Sequence, residues 1–245
     1  MAEYFDKFYS GAPFELFGPA HLTALGIVTL VCLSFVYFRR MWGEGEQKIF
    51  RYTVATLLII NELGLHAWIA YWGLWNIQTM LPLHMCSVFV WLTGYMLYTR
   101  NYRIYELAYF LGIGGAMQAL LTPDAGPYGF PHYRAFQTFF AHGVLFMVPI
   151  YMTVVEGFRP TLASLKRVFI WTNIYMVPVF FLNLAIGSNY LFIGYKPDFP
   201  TLLDALAPWP WYIPELEIIG LAILSTLYIP FLIKDWLASR QAAVA

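Results

Sequence analysis

Long apolar runs constrain this chain more than any other feature. Seven stretches, near residues 20–38, 53–71, 81–98, 104–121, 135–155, 168–186 and 212–233, carry few charges and many Leu, Ile, Val, Phe and Trp residues. A run of about 17 to 25 apolar residues is what a helix needs to cross the roughly 30 Å hydrocarbon layer of a bilayer. Open sheets cannot cross lipid, and the period-two alternation of a membrane barrel is absent. Composition agrees: 11% of the 245 residues are charged, where soluble domains carry roughly 25%. The sequence therefore predicts an all-α polytopic membrane protein. A single seven-helix domain would lie between a short N-terminal tail (1–19) and a short C-terminal tail (234–245).

The basic residues give the direction of threading. Arg39, Arg40, Lys48 and Arg51 follow span 1; Arg100 and Arg103 follow span 3; Arg159, Lys166 and Arg167 follow span 5; Lys234 and Arg240 follow span 7. The other side has only Lys7, Arg134 and Lys196. The positive-inside rule then predicts an outer N-terminus and a cytoplasmic C-terminus. Trp72, Trp75, Trp209 and Trp211 fall where the outer aromatic belt belongs. Spans 3 and 4 are separated by residues 99–103 alone, and Pro149 and Pro178 inside spans predict kinks. No internal repeat or second domain is visible.

Several function classes drop out. Zero net charge and a pI near 7.0 leave no nucleic-acid footprint. Cys32 and Cys86 lie in apolar runs and form neither a CxxC motif nor a disulfide framework. The N-terminus lacks the basic n-region of a cleavable signal peptide. The outer loops read as turns rich in Pro, Gly and aromatics: residues 122–132, 187–200 and 207–212. They could form a folded cap, or simply link helices.

Depth organises the polar residues. His21 opens span 1 at the outer face. Asn61, Glu62 and His66 lie in the outward half of span 2, and His84 and Cys86 just inside span 3. Gln118, Gln137, His142 and Asn183 lie in the outer parts of spans 4, 5 and 6, with Asn173 as the deep exception. Ionisable groups inside spans are costly and mark function by default. Interhelical hydrogen bonds would be scattered through the depth; a shared outer pocket explains one layer better.

Glu62 and His66 are four apart and share a helix face, either as a tuned pair or as a pair that satisfies only itself. Cys86 is the one strong nucleophile in the layer. Leu81-Pro82 opens its span, so the thiol sits near a helix N-terminus, where the dipole favours negative charge. Most cysteines in apolar helices are inert packing, as Cys32 is expected to be. His84, two residues from Cys86, points to nearly the opposite face, so a proton acceptor must come from another span: His142 or His66. His132 lies in an outer loop and suits a head group. Four histidines and a cysteine raise a zinc, haem or quinone site, but there is no HExxH. Span 7 has no central lysine for a retinal Schiff base. No cofactor motif is present.

The segments Phe17-Gly-Pro-Ala-His21, Leu81-Pro-Leu-His-Met-Cys86, Ala141-His142 and Asn183…Gly187-Ser-Asn-Tyr190…Lys196-Pro resemble the bacterial YwaF-type integral membrane proteins. More distantly, they resemble the eukaryotic transmembrane protein 164 family. The resemblance covers residues 14–236. It implies a membrane acyltransferase that remodels phospholipids in the bacterial cytoplasmic membrane; the eukaryotic relatives move a fatty acyl chain from a diacyl phospholipid to an ether lysophospholipid, a donor and acceptor that do not carry over to a bacterial chain. The family's chemistry uses a cysteine in the third helix and a histidine about two helices later, and Cys86 and His142 match that arrangement. A remoter resemblance, to androgen-induced-gene-type hydrolases, would call on a threonine, and Thr79 and Thr93 fit the depth less well than Cys86.

The leading expectation is an outer-leaflet transacylase without a metal or cofactor. Cys86 is the nucleophile and His142 the base. Asn61, Glu62, His66, His84 and Asn183 orient the pair or bind the oxyanion, and His21, His132, Arg134, Asn189 and Lys196 contact the head group. Its rivals are a lipid hydrolase on the same site, a proton-coupled transporter using Glu62 and His66, and a metal or haem site built from His21, His66, His84 and His142.

Overall fold

A computed structural model describes residues 2–123, 126–197 and 201–244. Asp124 and Ala125 of the first turn-rich loop and residues 198–200 of the second lie outside the described residues. Helices and short helical turns make up the elements, and no strand occurs among the described residues. In chain order the α-helices are α1 (Pro19–Phe38), α2 (Glu44–Tyr71), the single turn α3 (Ile77–Met80), α4 (Met85–Thr99), α5 (Tyr102–Leu107), α6 (Ile113–Leu121), α7 (Tyr133–Val154), α8 (Leu162–Ile186) and α9 (Tyr212–Val244). Residues 108–112 join α5 to α6 through a π-helical turn.

Six helices are long and apolar enough to cross a membrane, with α5 and α6 counted as one continuous helix. The protein is an integral membrane protein by that measure. Span 3 differs from its sequence reading. Residues 81–84 turn instead of coiling, with the Leu83 N–H on the Leu81 carbonyl at 2.7 Å. Only the 15 residues Met85–Thr99 remain helical, about 22 Å at ~1.5 Å per residue. Helix α2 differs the other way. It begins at Glu44, capped by the Glu46 carboxylate on the Gly43 N–H (2.9 Å), with both acidic residues at the positive end of the helix.

Contacts divide the chain into two compact units. One takes in Met1–Asn76 and Met85–Phe158; the other takes in Ile77–His84 and Arg159–Ala245.

In the first unit α7 is the central helix: 61% of its apolar window is buried, against 11% for α1. Two polar assemblies close this unit's ends. At one, the Glu156 side chain, fully buried, meets the guanidinium groups of Arg51 and Arg100 (2.7 Å for Arg100) and accepts the Tyr151 hydroxyl at 2.8 Å. This clamp joins α2, the α4–α5 junction and the exit of α7. Removing one partner of such a buried pair costs about 3–5 kcal/mol, because the other charge stays buried. At the other end the N-terminal segment is strapped down. Trp68 and Trp72 donate their indole N–H groups to the Phe5 carbonyl (2.7 and 3.2 Å), and Tyr128 donates to the Lys7 carbonyl (3.1 Å). The strap also passes so close to Gly129 that a Cβ there would lie 2.7 Å from the Pro13 carbonyl, so glycine is required.

The second unit holds α3, α8, α9 and the loop between α8 and α9. Asn173, the deep exception among the polar residues, donates to the Glu217 carboxylate at 3.0 Å and ties α8 to α9.

Candidate functional site

Most of the polar layer read from the sequence falls in the first unit. Glu62 is 4% exposed on α2. One turn later, His66 Nε2 lies 3.7 Å from its carboxylate, while His66 Nδ1 accepts the Trp75 indole N–H at 3.2 Å. Arg134, in the first turn of α7, donates to the Gln137 side-chain carbonyl and lies 5.9 Å from the Trp68 ring centroid. Asn61 Nδ2 donates to the Gln137 backbone carbonyl at 3.3 Å. The Arg134 charge acts on Glu62, Tyr133 and His142, and the Glu62 charge acts on Cys86 and Tyr133. Arg134 is thus linked to His142 and Glu62 to Cys86, with Tyr133 common to both charges.

Cys86 is the second residue of α4, closer to the helix start than the sequence implied, because span 3 is shortened. The first-turn N–H groups of a helix have no partner within it. Across from the thiol, on α6, a Cβ at Gly115 would lie 4.0 Å from Sγ, so the glycine leaves one face of the sulfur uncrowded. Cys86 makes no hydrogen bond among the described residues. No hydrogen bond joins it to His142.

Hydrogen-bond partners assign a tautomer to each histidine. His21 Nδ1 accepts the Phe17 N–H (2.9 Å), so its Nε2–H donates to the Leu120 carbonyl (2.8 Å). His132 Nδ1 accepts the Arg134 N–H (3.0 Å), capping α7, and its Nε2–H donates to the Asp6 carbonyl (3.1 Å). Neither ring keeps a free nitrogen for a head group. Burial holds His132 below the ordinary imidazole range, and the Arg134 charge adds to this; the Asp6 carbonyl and carboxylate oppose it. His84 Nδ1 accepts the Leu191 N–H at 3.3 Å. His142 is the reverse case: Nδ1–H donates to the Thr138 carbonyl at 2.9 Å, one turn back. Its Nε2 carries the lone pair and has no hydrogen-bond partner among the described residues.

The remaining sequence candidates build the second unit. His84 lies between the Tyr190 and Phe192 rings, with centroids at 5.2 and 5.0 Å. Asn183 Oδ1 accepts the Ser188 hydroxyl (2.7 Å) and the Tyr190 N–H (2.9 Å), and its Nδ2 donates to the Tyr190 carbonyl (2.9 Å). Asn189 closes its turn onto Gly194 and Tyr195, and Lys196 Nζ donates to the Leu206 carbonyl at 2.7 Å. These bonds hold Leu191 and Phe192 at φ 62° and 53°, a conformation costing about 1–3 kcal/mol per residue. His84 and Cys86, two apart in sequence, thus belong to different units.

Sequence reasoning passed over several residues. Glu217 was visible as a carboxylate inside span 7. Thr93, weighed from the sequence and set aside on depth, has a buried hydroxyl with no hydrogen-bond partner among the described residues; it lies seven residues after Cys86 and so shares its helix face. Gly115 and Tyr133 carried no local signal. No three His, Cys, Asp or Glu side chains converge as metal ligands among the described residues.

No curated protein and no solved structure matches this chain. A family model does match, over residues 16–228, an interval holding Cys86, His142, Glu62 and Arg134. That interval spans most of the chain and every helix that builds the site, so the protein belongs to the TMEM164 family.

Proposed function

We propose that the protein is a phospholipid transacylase working through Cys86 and His142. The observation that carries this reading is the tautomer of His142. Its Nδ1–H is fixed on the Thr138 carbonyl, which leaves Nε2 as a base, in the unit that also holds a nucleophilic thiol without a hydrogen bond. Family membership supports a membrane protein of this kind.

The chemistry runs in two halves. His142 Nε2 takes the thiol proton as Cys86 Sγ attacks the ester carbonyl carbon of a diacyl phospholipid. First-turn N–H groups of α4 stabilise the oxyanion. Collapse breaks the acyl C–O bond, the imidazolium returns its proton to the departing lysophospholipid oxygen, and a thioester remains on Cys86. In the second half, His142 takes the proton of an acceptor lysophospholipid hydroxyl, whose oxygen attacks the thioester. The thiolate leaves and recovers its proton. Arg134 supplies the cation for a lipid phosphate, with Glu62, His66 and Asn61 holding its surroundings. Sγ and Nε2 need only approach one another on substrate binding, as catalytic bonds commonly tighten then.

Peptide mass spectrometry on protein incubated with phospholipid vesicles tests this. A hydroxylamine-labile acyl adduct on Cys86 is expected, absent in Cys86→Ser and formed slowly in His142→Ala. Lysolipid turnover without any adduct would replace the transacylase with direct hydrolysis. Neither adduct nor turnover would overturn both.

A further inference from the structure

A second feature lies on another face of α7. Between α1 and α7 runs a groove of about 430 Å³, floored by Ala24, Val28 and Gly143 and walled by Phe136, Phe139 and Phe140. We propose that this groove seats one acyl chain of a glycerophospholipid from the leaflet at the N-terminal end of α1. The site is separate from the Cys86 chemistry and does not depend on it.

Four observations fix the occupant. Both walls belong to membrane-spanning helices, so the groove opens onto hydrocarbon rather than water. Along α1 the lining runs from Ala20 to Val31, about 16 Å at ~1.5 Å per residue, which matches one leaflet of the roughly 30 Å core. The lining offers nothing to a polar ligand: its one hydroxyl, on Thr23, is turned back onto the Pro19 carbonyl at 2.7 Å. The floor is closed by the close approach of α1 and α7, since a Cβ at Gly143 would come within 3.3 Å of a Val28 methyl. Small residues could in principle receive a helix from a second copy. Here the rings of Phe136 and Phe140, 56% and 38% exposed, stand along the rim and keep a helix backbone from the floor. A flexible chain of methylenes is the apolar occupant that needs no such backbone approach.

The test uses full-length protein in nanodiscs of phosphatidylcholine that carries a photoactivatable diazirine in one acyl chain. Labelled peptides are mapped after irradiation, with the exposed face of α8 as the reference for bulk lipid. Labelling is expected to concentrate on residues 20–31 and 136–147. It should fall about tenfold in Ala24→Phe, whose ring overfills the groove, and remain unchanged in Cys86→Ser. Ala20→Phe, at the open rim, gives the same reading if Ala24→Phe does not fold. Labelling no denser than on α8, or equal in the filled variants, would overturn the proposal. So would a dimer in native mass spectra that Ala24→Phe dissociates, because a second copy would then be the occupant.

Discussion

The segment from the end of α8 to α9 and the polar parts of α2, α4 and α7 contain much the same polar residue types, yet use them differently. Beside the loop, Asn183 in the last turn of α8 makes three hydrogen bonds to residues within seven positions of itself, and Asn189 closes a turn in the same way. Those donors and acceptors are occupied in holding Leu191 and Phe192 in the left-handed region. In the helical region, the thiol of Cys86, the Nε2 of His142 and the buried hydroxyl of Thr93 have no hydrogen-bond partners among the described residues. Buried polar atoms are nearly always paired; under the proposed function, Cys86 and His142 are the unpaired groups that meet the lipid. The difference teaches that residue type alone does not fix use: similar polar groups are consumed by local bonds beside the loop and left without hydrogen bonds between the helices.

That comparison can be broken most directly at Cys86. Cys86→Ser should lower acyl transfer by about 10³-fold or more while leaving the unfolding midpoint in detergent unchanged, because Sγ makes no hydrogen bond. A large loss of stability with activity retained would move Cys86 to the scaffold side. Asn183→Ala should do the opposite. It removes three bonds worth about 0.5–1.5 kcal/mol each, so thermal unfolding should shift by about 2–3 kcal/mol with transfer by the folded protein close to wild type. An inactive but equally stable Asn183→Ala variant would put the loop in the site.

A smaller effect sharpens the boundary at His132. Its folded-state pKa lies below the ordinary imidazole value, so the unfolded chain binds a proton first as pH falls. The stability that neutral His132 contributes is complete above the unfolded value, near 6.5. It is lost as pH drops from there through the folded value. Protonation of Nδ1 also removes the cap on α7, worth about 1 kcal/mol. Unfolding followed between pH 7.5 and 5 should show this decline, and His132→Asn, which can still cap, should flatten it. An unchanged slope in His132→Asn would mean that another group titrates.

Much of the helical organisation was legible because lipid imposes one rule on every span: about 20 apolar residues with all backbone groups satisfied internally. Span 3 departed from its expected start because Pro82 and a local turn took residues 81–84 out of the helix, and apolar composition does not register a turn. Cys86 and His142 stood out by depth and residue type, and Glu62 with His66 by helical spacing. Glu217 was equally readable but lay outside the layer that drew attention.

The sequence by itself determined that this chain enters a membrane as helices, since hydropathy is a sum over neighbouring residues and needs no fold. It also determined which side chains could do chemistry. Tertiary structure alone decided which of them remain available. The partners that occupy His21 and His84 come from 99 and 107 residues away, and the Glu156 clamp closes over 105. The carbonyl that fixes the His142 tautomer lies one helical turn back on its own helix, but the distant partners of His21 and His84 are encoded by no local pattern; only packing brings them to the ring.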